Sequence, residues 1–185
     1  MGIIAPKGSG KTTLICNMLM FYKGYFNTII VFSPSVASDE KWDYIKKQSL
    51  LVENKPLKKW MAKMAQARKQ KDNVVEEAPV HIPLSGLVGN GDTEFDGVIP
   101  EKNFITEYHR EDLVELMENQ RSMVAFLKEH GESKHLANRI LVVFDDLVGS
   151  DLFSITSNNP FKTFNTNHRH MSISALIVTQ AYMVL

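Results

Sequence analysis

The run Ala5-Pro6-Lys7-Gly8-Ser9-Gly10-Lys11-Thr12-Thr13 carries the residue types that a polyphosphate needs around it. It fits the phosphate-loop spacing, with alanine in place of the first glycine. Glycines let backbone N–H groups turn toward a ligand, and a helix opening directly afterwards adds the positive end of its dipole. Pro6, Lys7, Gly8, Ser9, Gly10, Lys11, Thr12 and Thr13 are therefore the candidate nucleotide-binding residues. In this reading Lys11 meets the β- and γ-phosphates as a point charge, and the Thr12 hydroxyl completes a Mg²⁺ shell. The bland alternative is a glycine-rich turn that binds nothing.

A magnesium-bound triphosphate also needs a carboxylate nearby and a group to activate the attacking water. Ile140-Leu141-Val142-Val143-Phe144-Asp145-Asp146 supplies both at the end of an apolar run. Asp145 is the candidate metal-side acid, acting through a magnesium-bound water, and Asp146 the candidate base. The competing reading is a pair of acids capping the next helix. Gln180 closes another apolar run and could orient water or touch the γ-phosphate, or simply face solvent. Arg169 could serve a neighbouring subunit's phosphate as an arginine finger, or be a plain surface or DNA-backbone arginine. His168 and His170 have no evident third metal ligand. The pattern points to nucleoside triphosphate hydrolysis or phosphoryl transfer.

The elements that must position these residues follow from hydropathy. Ile3-Ile4-Ala5 reads as the end of a buried strand. Lys11–Tyr22 reads as a helix with Leu14, Ile15, Met18, Leu19 and Tyr22 on one face, and Gly24 stands where it ends. Asn27–Phe32 is a β-branched buried strand broken by Ser33-Pro34-Ser35. Lys41–Gln48 and Pro56–Lys71 suit helices. Residues 72–103, with three prolines and four glycines, suit a long loop, so an insertion or mobile loop is expected at about 50–105. Arg110–His130 has the apolar spacing of a long helix closed by Gly131, and Arg139–Phe144 and Ile173–Thr179 read as strands. The order gives a βαβ start and one α/β domain across 1–185, with polar residues delivered at strand ends.

Composition narrows the classes. The chain has 185 residues, 44% hydrophobic and 23% charged, which is folded-domain composition rather than that of a disordered chain. No apolar run is long enough to cross a bilayer, and the start does not look like a secretory leader. The single cysteine, Cys16, excludes an internal disulfide and suits packing in a reducing, intracellular compartment. Net charge is zero but segregated. Lys41–Lys71 holds ten basic residues against two acids, and Asp72–Glu118 twelve acids against two bases. Trp42, Tyr44 and Trp60 lie among those lysines, so the basic stretch could contact nucleic acid with some stacking, or form a solvated helix face.

Taken together, these blocks resemble the genome-packaging ATPase family of poxviruses and other large DNA viruses, virophages and related self-synthesising transposons. That family lies in the FtsK–HerA branch of P-loop ATPases. The resemblance rests on Gly8-Ser9-Gly10-Lys11-Thr12-Thr13, Thr28-Ile29-Ile30-Val31-Phe32-Ser33-Pro34, Leu141-Val142-Val143-Phe144-Asp145-Asp146, and Arg169-His170-Met171-Ser172-Ile173-Ser174 leading to Thr179-Gln180. It implies a three-layer α/β P-loop domain of RecA/FtsK type with a mostly parallel sheet. It also implies ATP and Mg²⁺ at Lys11 and Thr12, an acidic motif at Asp145 and Asp146, a sensor at Gln180, and Arg169 as a further site residue. The implied activity is ATP hydrolysis driving double-stranded DNA into a capsid. The implied partners are DNA, capsid or portal proteins and further copies in a ring, with no membrane. The implied place is a viral factory or the host cytoplasm, with virion association a further option. Four residues precede Ala5 and five follow Gln180, so a sheet incomplete at both ends is expected. Two other classes fit the same loop: a small-molecule or nucleotide kinase, and a nucleotide-gated binding module with little turnover.

Overall fold

Five parallel strands form one sheet in the order β1-β5-β4-β2-β3. The strands are β1 (Gly2–Ile4), β2 (Thr28–Phe32), β3 (Phe104–Ile105), β4 (Ile140–Asp145) and β5 (Ile173–Thr179). The helices are α1 (Lys11–Phe21), α2 (Glu40–Lys46), α3 (Lys55–Lys71), α4 (Arg110–Glu129) and α5 (Pro160–Asn167). The computed structural model describes residues 1–6, 8–71, 95–147, 150–153 and 159–180.

The three-layer α/β arrangement follows from alternation along the central strands. Ile29 and Val31 of β2, Leu141 and Val143 of β4, and Leu176 and Val178 of β5 share one apolar cluster with Ile15, Cys16 and Leu19 of α1 and Trp42 and Ile45 of α2. The intervening residues Ile30, Phe32, Ile140, Val142, Phe144 and Ile173 point the other way, toward Leu113, Leu116 and Met117 of α4 and Phe161 and Phe164 of α5. A strand buried on both faces must be apolar at successive positions, which is why β2 and β4 are continuous apolar runs. Phe144 anchors the second layer. Its ring stacks on Phe32 at 5.5 Å and meets Phe161 and Phe164 edge-on, pairs worth about 0.5–1.5 kcal/mol each beyond burial.

Two expectations need correction. β1 pairs with β5 but is an edge strand rather than a buried one, and Ile4 is 70% exposed. For the same reason the apolar face of α1 is narrower than its spacing suggests. Leu14 is exposed, since among the described residues no strand lies beyond β1 to cover that side, and Tyr22, at the far end of the helix against Tyr25 and Phe26, is exposed as well. Within the expected insertion at about 50–105 lies the expected helix α3, and beside it an antiparallel bridge between Ser49 and Val98, a tight turn at Glu101–Asn103 and the short strand β3. Two residues are too few for periodicity to reveal β3. Residues 72–94, the greater part of the expected loop, lie outside the described residues.

The sequence reading places α1, α2, α3, α4, β2, β4 and β5 to within two residues at their ends, and it does not foresee α5. Because every strand runs the same way, Ala5, Ser33, Asp145-Asp146 and Gln180 all leave the sheet at one edge. The connections leaving β1 and β2 pack on one face, and those leaving β3 and β4 on the other. Such a reversal opens a crevice at the carboxyl edge, where α/β proteins bind ligands.

Candidate functional site

The loop after β1 turns at two glycines. Gly8 and Gly10 have φ of 78° and 81°, which a side chain would strain. The Ser9 N–H donates to the Pro6 carbonyl at 3.3 Å, and the Leu14 N–H donates to the Gly10 carbonyl at 2.9 Å to open α1. No side chain caps α1 and no acid lies in its first turn, whereas α2 and α5 are capped by Asp39 and Asn159. The start of α1 therefore keeps its positive character. Gly8, Ser9, Gly10 and Thr13 are exposed, and Thr12 is half-buried beside them. Lys7 lies outside the described residues. The Lys11 ammonium folds over the loop, donating to the carbonyls of Pro6 at 2.9 Å and Ala5 at 3.2 Å.

Asp145 ends β4 with its side chain buried, 2% exposed. Burial raises its pKa above the ordinary carboxylate range, and the neighbouring Asp146 charge adds to this. A hydrogen bond from Ser33, the Lys11 charge and Ser35 oppose it. Lys11 thus acts electrostatically on Asp145, bringing the loop lysine and the strand-end acid into one field. Ser33 reaches Asp145 because β2 and β4 pair in register, Phe32 opposite Phe144, so the next residue of each strand is adjacent. The Ser33 hydroxyl donates to Asp145 Oδ2 at 2.8 Å and shares a 2.9 Å hydrogen bond with Ser35 Oγ. Trp42 Nε1 in turn donates to Ser35 Oγ at 3.1 Å.

Asp146 adopts the left-handed region, φ 51°, and its N–H donates to the Val178 carbonyl at 2.9 Å. This bends the chain out of the sheet. The Gln180 amide donates to Asp146 Oδ2 at 2.5 Å. Because β5 lies between β1 and β4, Gln180 emerges between the loop and the two aspartates. Asp146 also faces a cleft of about 460 Å³, which Pro34, Tyr108, His109, Arg110 and Asp151 help to line. The Tyr108 hydroxyl, buried in that wall, has no hydrogen-bond partner among the described residues, and burial pushes its pKa up to about 12.

Lys11, Thr12, Asp145, Asp146 and Gln180 thus share the carboxyl edge of the sheet, and Arg169 does not. It is exposed on the turn before β5, at the opposite edge. The seven residues of β5 put about 20 Å between the two edges. Trp42, read as a possible stacking residue, is fully buried, and Trp60 packs edge-on against Phe126 and His130. Cys16 is buried as expected, and burial pushes its thiol up to about 11. Sequence reasoning missed the roles of Ser33, Ser35 and Tyr108. The only available signal was the polar Ser33-Pro34-Ser35 break, which could not say which strand would lie beside it.

The assembled groups can do specific things. An uncapped helix start and an ammonium favour polyanions, and the Thr12 hydroxyl and the Asp145 carboxyl, at the same edge of the sheet, are oxygen donors of the kind a hard cation takes. Among the described residues no three His, Cys, Asp or Glu side chains form a metal cage. Mg²⁺ needs none, since it takes one or two protein oxygens together with phosphate and water. Compared with protein-family models, curated proteins and solved structures, the chain has no match in any of the three. No helix among the described residues is long and apolar enough to cross a membrane.

Proposed function

We propose that the chain is a Mg²⁺-dependent ATPase with a P-loop domain of RecA/FtsK type, and that hydrolysis drives double-stranded DNA into a capsid. One observation carries the hydrolysis step. The glycine loop with Lys11, the Asp145-Asp146 pair and Gln180 leave adjacent strands at the same edge, with the Lys11 charge acting on Asp145. The DNA, capsid and ring parts of the proposal rest on the resemblance alone.

Within this reading Lys11 and the N–H groups at the start of α1 hold the β- and γ-phosphates. Thr12 and Asp145 are the oxygen donors that fit Mg²⁺, which when bound neutralises charge on the phosphates. Asp146 accepts a proton from the attacking water. Gln180, already bonded to Asp146, holds that water in line. Ser33 holds the Asp145 carboxyl in place through its hydrogen bond.

The deciding experiment measures phosphate release from ATP with and without duplex DNA, alongside Lys11→Ala. Magnesium-dependent release that Lys11→Ala abolishes and duplex DNA stimulates is expected. A second reading, phosphoryl transfer to a small acceptor, is favoured by the cleft beside Asp146, which has room for one. Transfer of the γ-phosphate to an added acceptor, with no response to DNA, would reject the motor in its favour. ATP binding without turnover would leave a gated binding module.

A further inference from the structure

Helix α3 has two unlike faces. Leu57, Trp60 and Met61 turn inward onto a cluster that includes Met123, Leu127 and Ala137. On the other face Lys55, Lys59 and Lys63 follow one another at four-residue steps, about 6 Å of rise each, and all three are exposed. The helix contains no acidic residue. Among the described residues these three lysines make no ion pair; Lys58, beside them, reaches Glu53 at 2.7 Å.

The helix is fixed at the sheet edge away from the glycine loop. Asn54, just before it, donates to the Leu136 carbonyl at 2.9 Å and to Asn138 Oδ1 at 3.0 Å, next to the start of β4. The positive surface continues from there. Lys134, on the adjoining turn, donates to the Arg169 carbonyl at 3.5 Å, and the Arg169 side chain is exposed.

From this arrangement we infer that the outer face of α3 docks the phosphate backbone of duplex DNA, with Lys55, Lys59 and Lys63 as phosphate contacts. The inference rests on the DNA component of the function proposed above. It adds where the track lies: across the sheet from the nucleotide. A regular row of cations on a helix that itself carries no acid, with Glu53 beside its first lysine, matches a regular row of phosphates. Single strands are disfavoured at this face, because base stacking needs exposed aromatic rings and the one aromatic residue of α3, Trp60, packs edge-on against Phe126 and His130 on the inner face. A membrane surface is disfavoured, because an interfacial helix inserts its apolar face and that face of α3 is already committed to the protein.

The test is fluorescence anisotropy of a labelled duplex of about 20 base pairs, titrated between about 50 and 200 mM salt. The full chain is compared with the triple variant Lys55→Gln, Lys59→Gln, Lys63→Gln. A second triple variant, Lys23→Gln, Lys41→Gln, Lys47→Gln, removes the same charge from elsewhere. Glutamine keeps the helix, which circular dichroism verifies. The first variant should lose about tenfold or more in affinity, and its log–log salt slope should flatten by about 2–3. The second should change neither appreciably. Equal losses in both variants, an unchanged slope in the first, no duplex binding by the unmodified chain, or preferential binding to anionic vesicles or polyglutamate each overturns the inference. Duplex binding without ATP hydrolysis would overturn the proposed ATPase and leave this surface standing; hydrolysis without duplex binding would do the reverse.

Discussion

The side-chain amide of Gln180 is bonded to Asp146 at 2.5 Å, tying the residue that follows β5 to the one that follows β4. Both lie just outside the sheet, so the bond joins two groups that the strands deliver but do not themselves constrain. Separating them experimentally distinguishes proton transfer from water positioning. Asp146→Asn keeps a residue that tolerates the left-handed backbone, so the fold should survive with its melting temperature nearly unchanged. ATP turnover should fall by about 10²–10⁴-fold, as for loss of a general base. Gln180→Ala should slow turnover less and leave nucleotide affinity nearly intact, which steady-state kinetics beside equilibrium nucleotide binding would show. Equal effects of the two variants on affinity would contradict the assigned roles.

Asp145 should destabilise the metal-free fold near neutrality. Its pKa is raised by burial, so the folded chain holds its proton to higher pH than the unfolded chain does. The sign follows: its contribution to stability is present below the unfolded pKa of about 3.9 and is lost as pH rises through the folded value. Asp145→Asn should therefore melt at higher temperature than the unmodified chain in EDTA at neutral pH. The gap should close toward acid. Adding Mg²⁺ with nucleotide should stabilise the unmodified chain more than the variant. Thermal melts across pH check both statements.

Loss of the Ser33 hydroxyl should act on the site through Asp145, and it also removes the bonds to Ser35. Its hydrogen bond holds that carboxyl's pKa down, so Ser33→Ala should raise the pKa further and weaken magnesium-dependent nucleotide binding. Hydrogen bonds to charged groups contribute about 1.5–3 kcal/mol, which sets the upper range of the effect. Calorimetric titration with Mg²⁺ and nucleotide at two pH values would measure it, with the larger deficit at the lower pH.

Cys16 should be nearly inert in the folded chain. Its thiol is buried, 8% exposed, and its pKa stands at about 11 rather than 9.0. That difference alone cuts the thiolate fraction about a hundredfold at pH 8. Alkylation should be slow in buffer and rapid in urea. Fast native labelling would mean that α1 lifts from the sheet.

Much of this arrangement was legible before any coordinates. The three-layer fold could be read because β2, β4 and β5 have strong apolar runs and α4 has a clear helical period. The loop, the twin aspartates and Gln180 could be read because each sits at the end of such a run. What the chain could not disclose was lateral neighbourhood. Ser33 lies 112 residues from Asp145 in sequence, and only the pairing of β2 with β4 brings them together. Exposure misled for a related reason: Ile4 and Leu14 are apolar, yet among the described residues β1 is the last strand on its side. Trp42 sits among lysines in the sequence but on the inward face of α2, so local composition misrepresented its surroundings.

The line of hydrogen bonds from Trp42 through Ser35 and Ser33 ends on the buried acid. One of the chain's two indoles is therefore wired to the one carboxyl whose charge should change when a divalent ion arrives. Its emission can serve as an optical gauge of that event, needing no added label and no turnover.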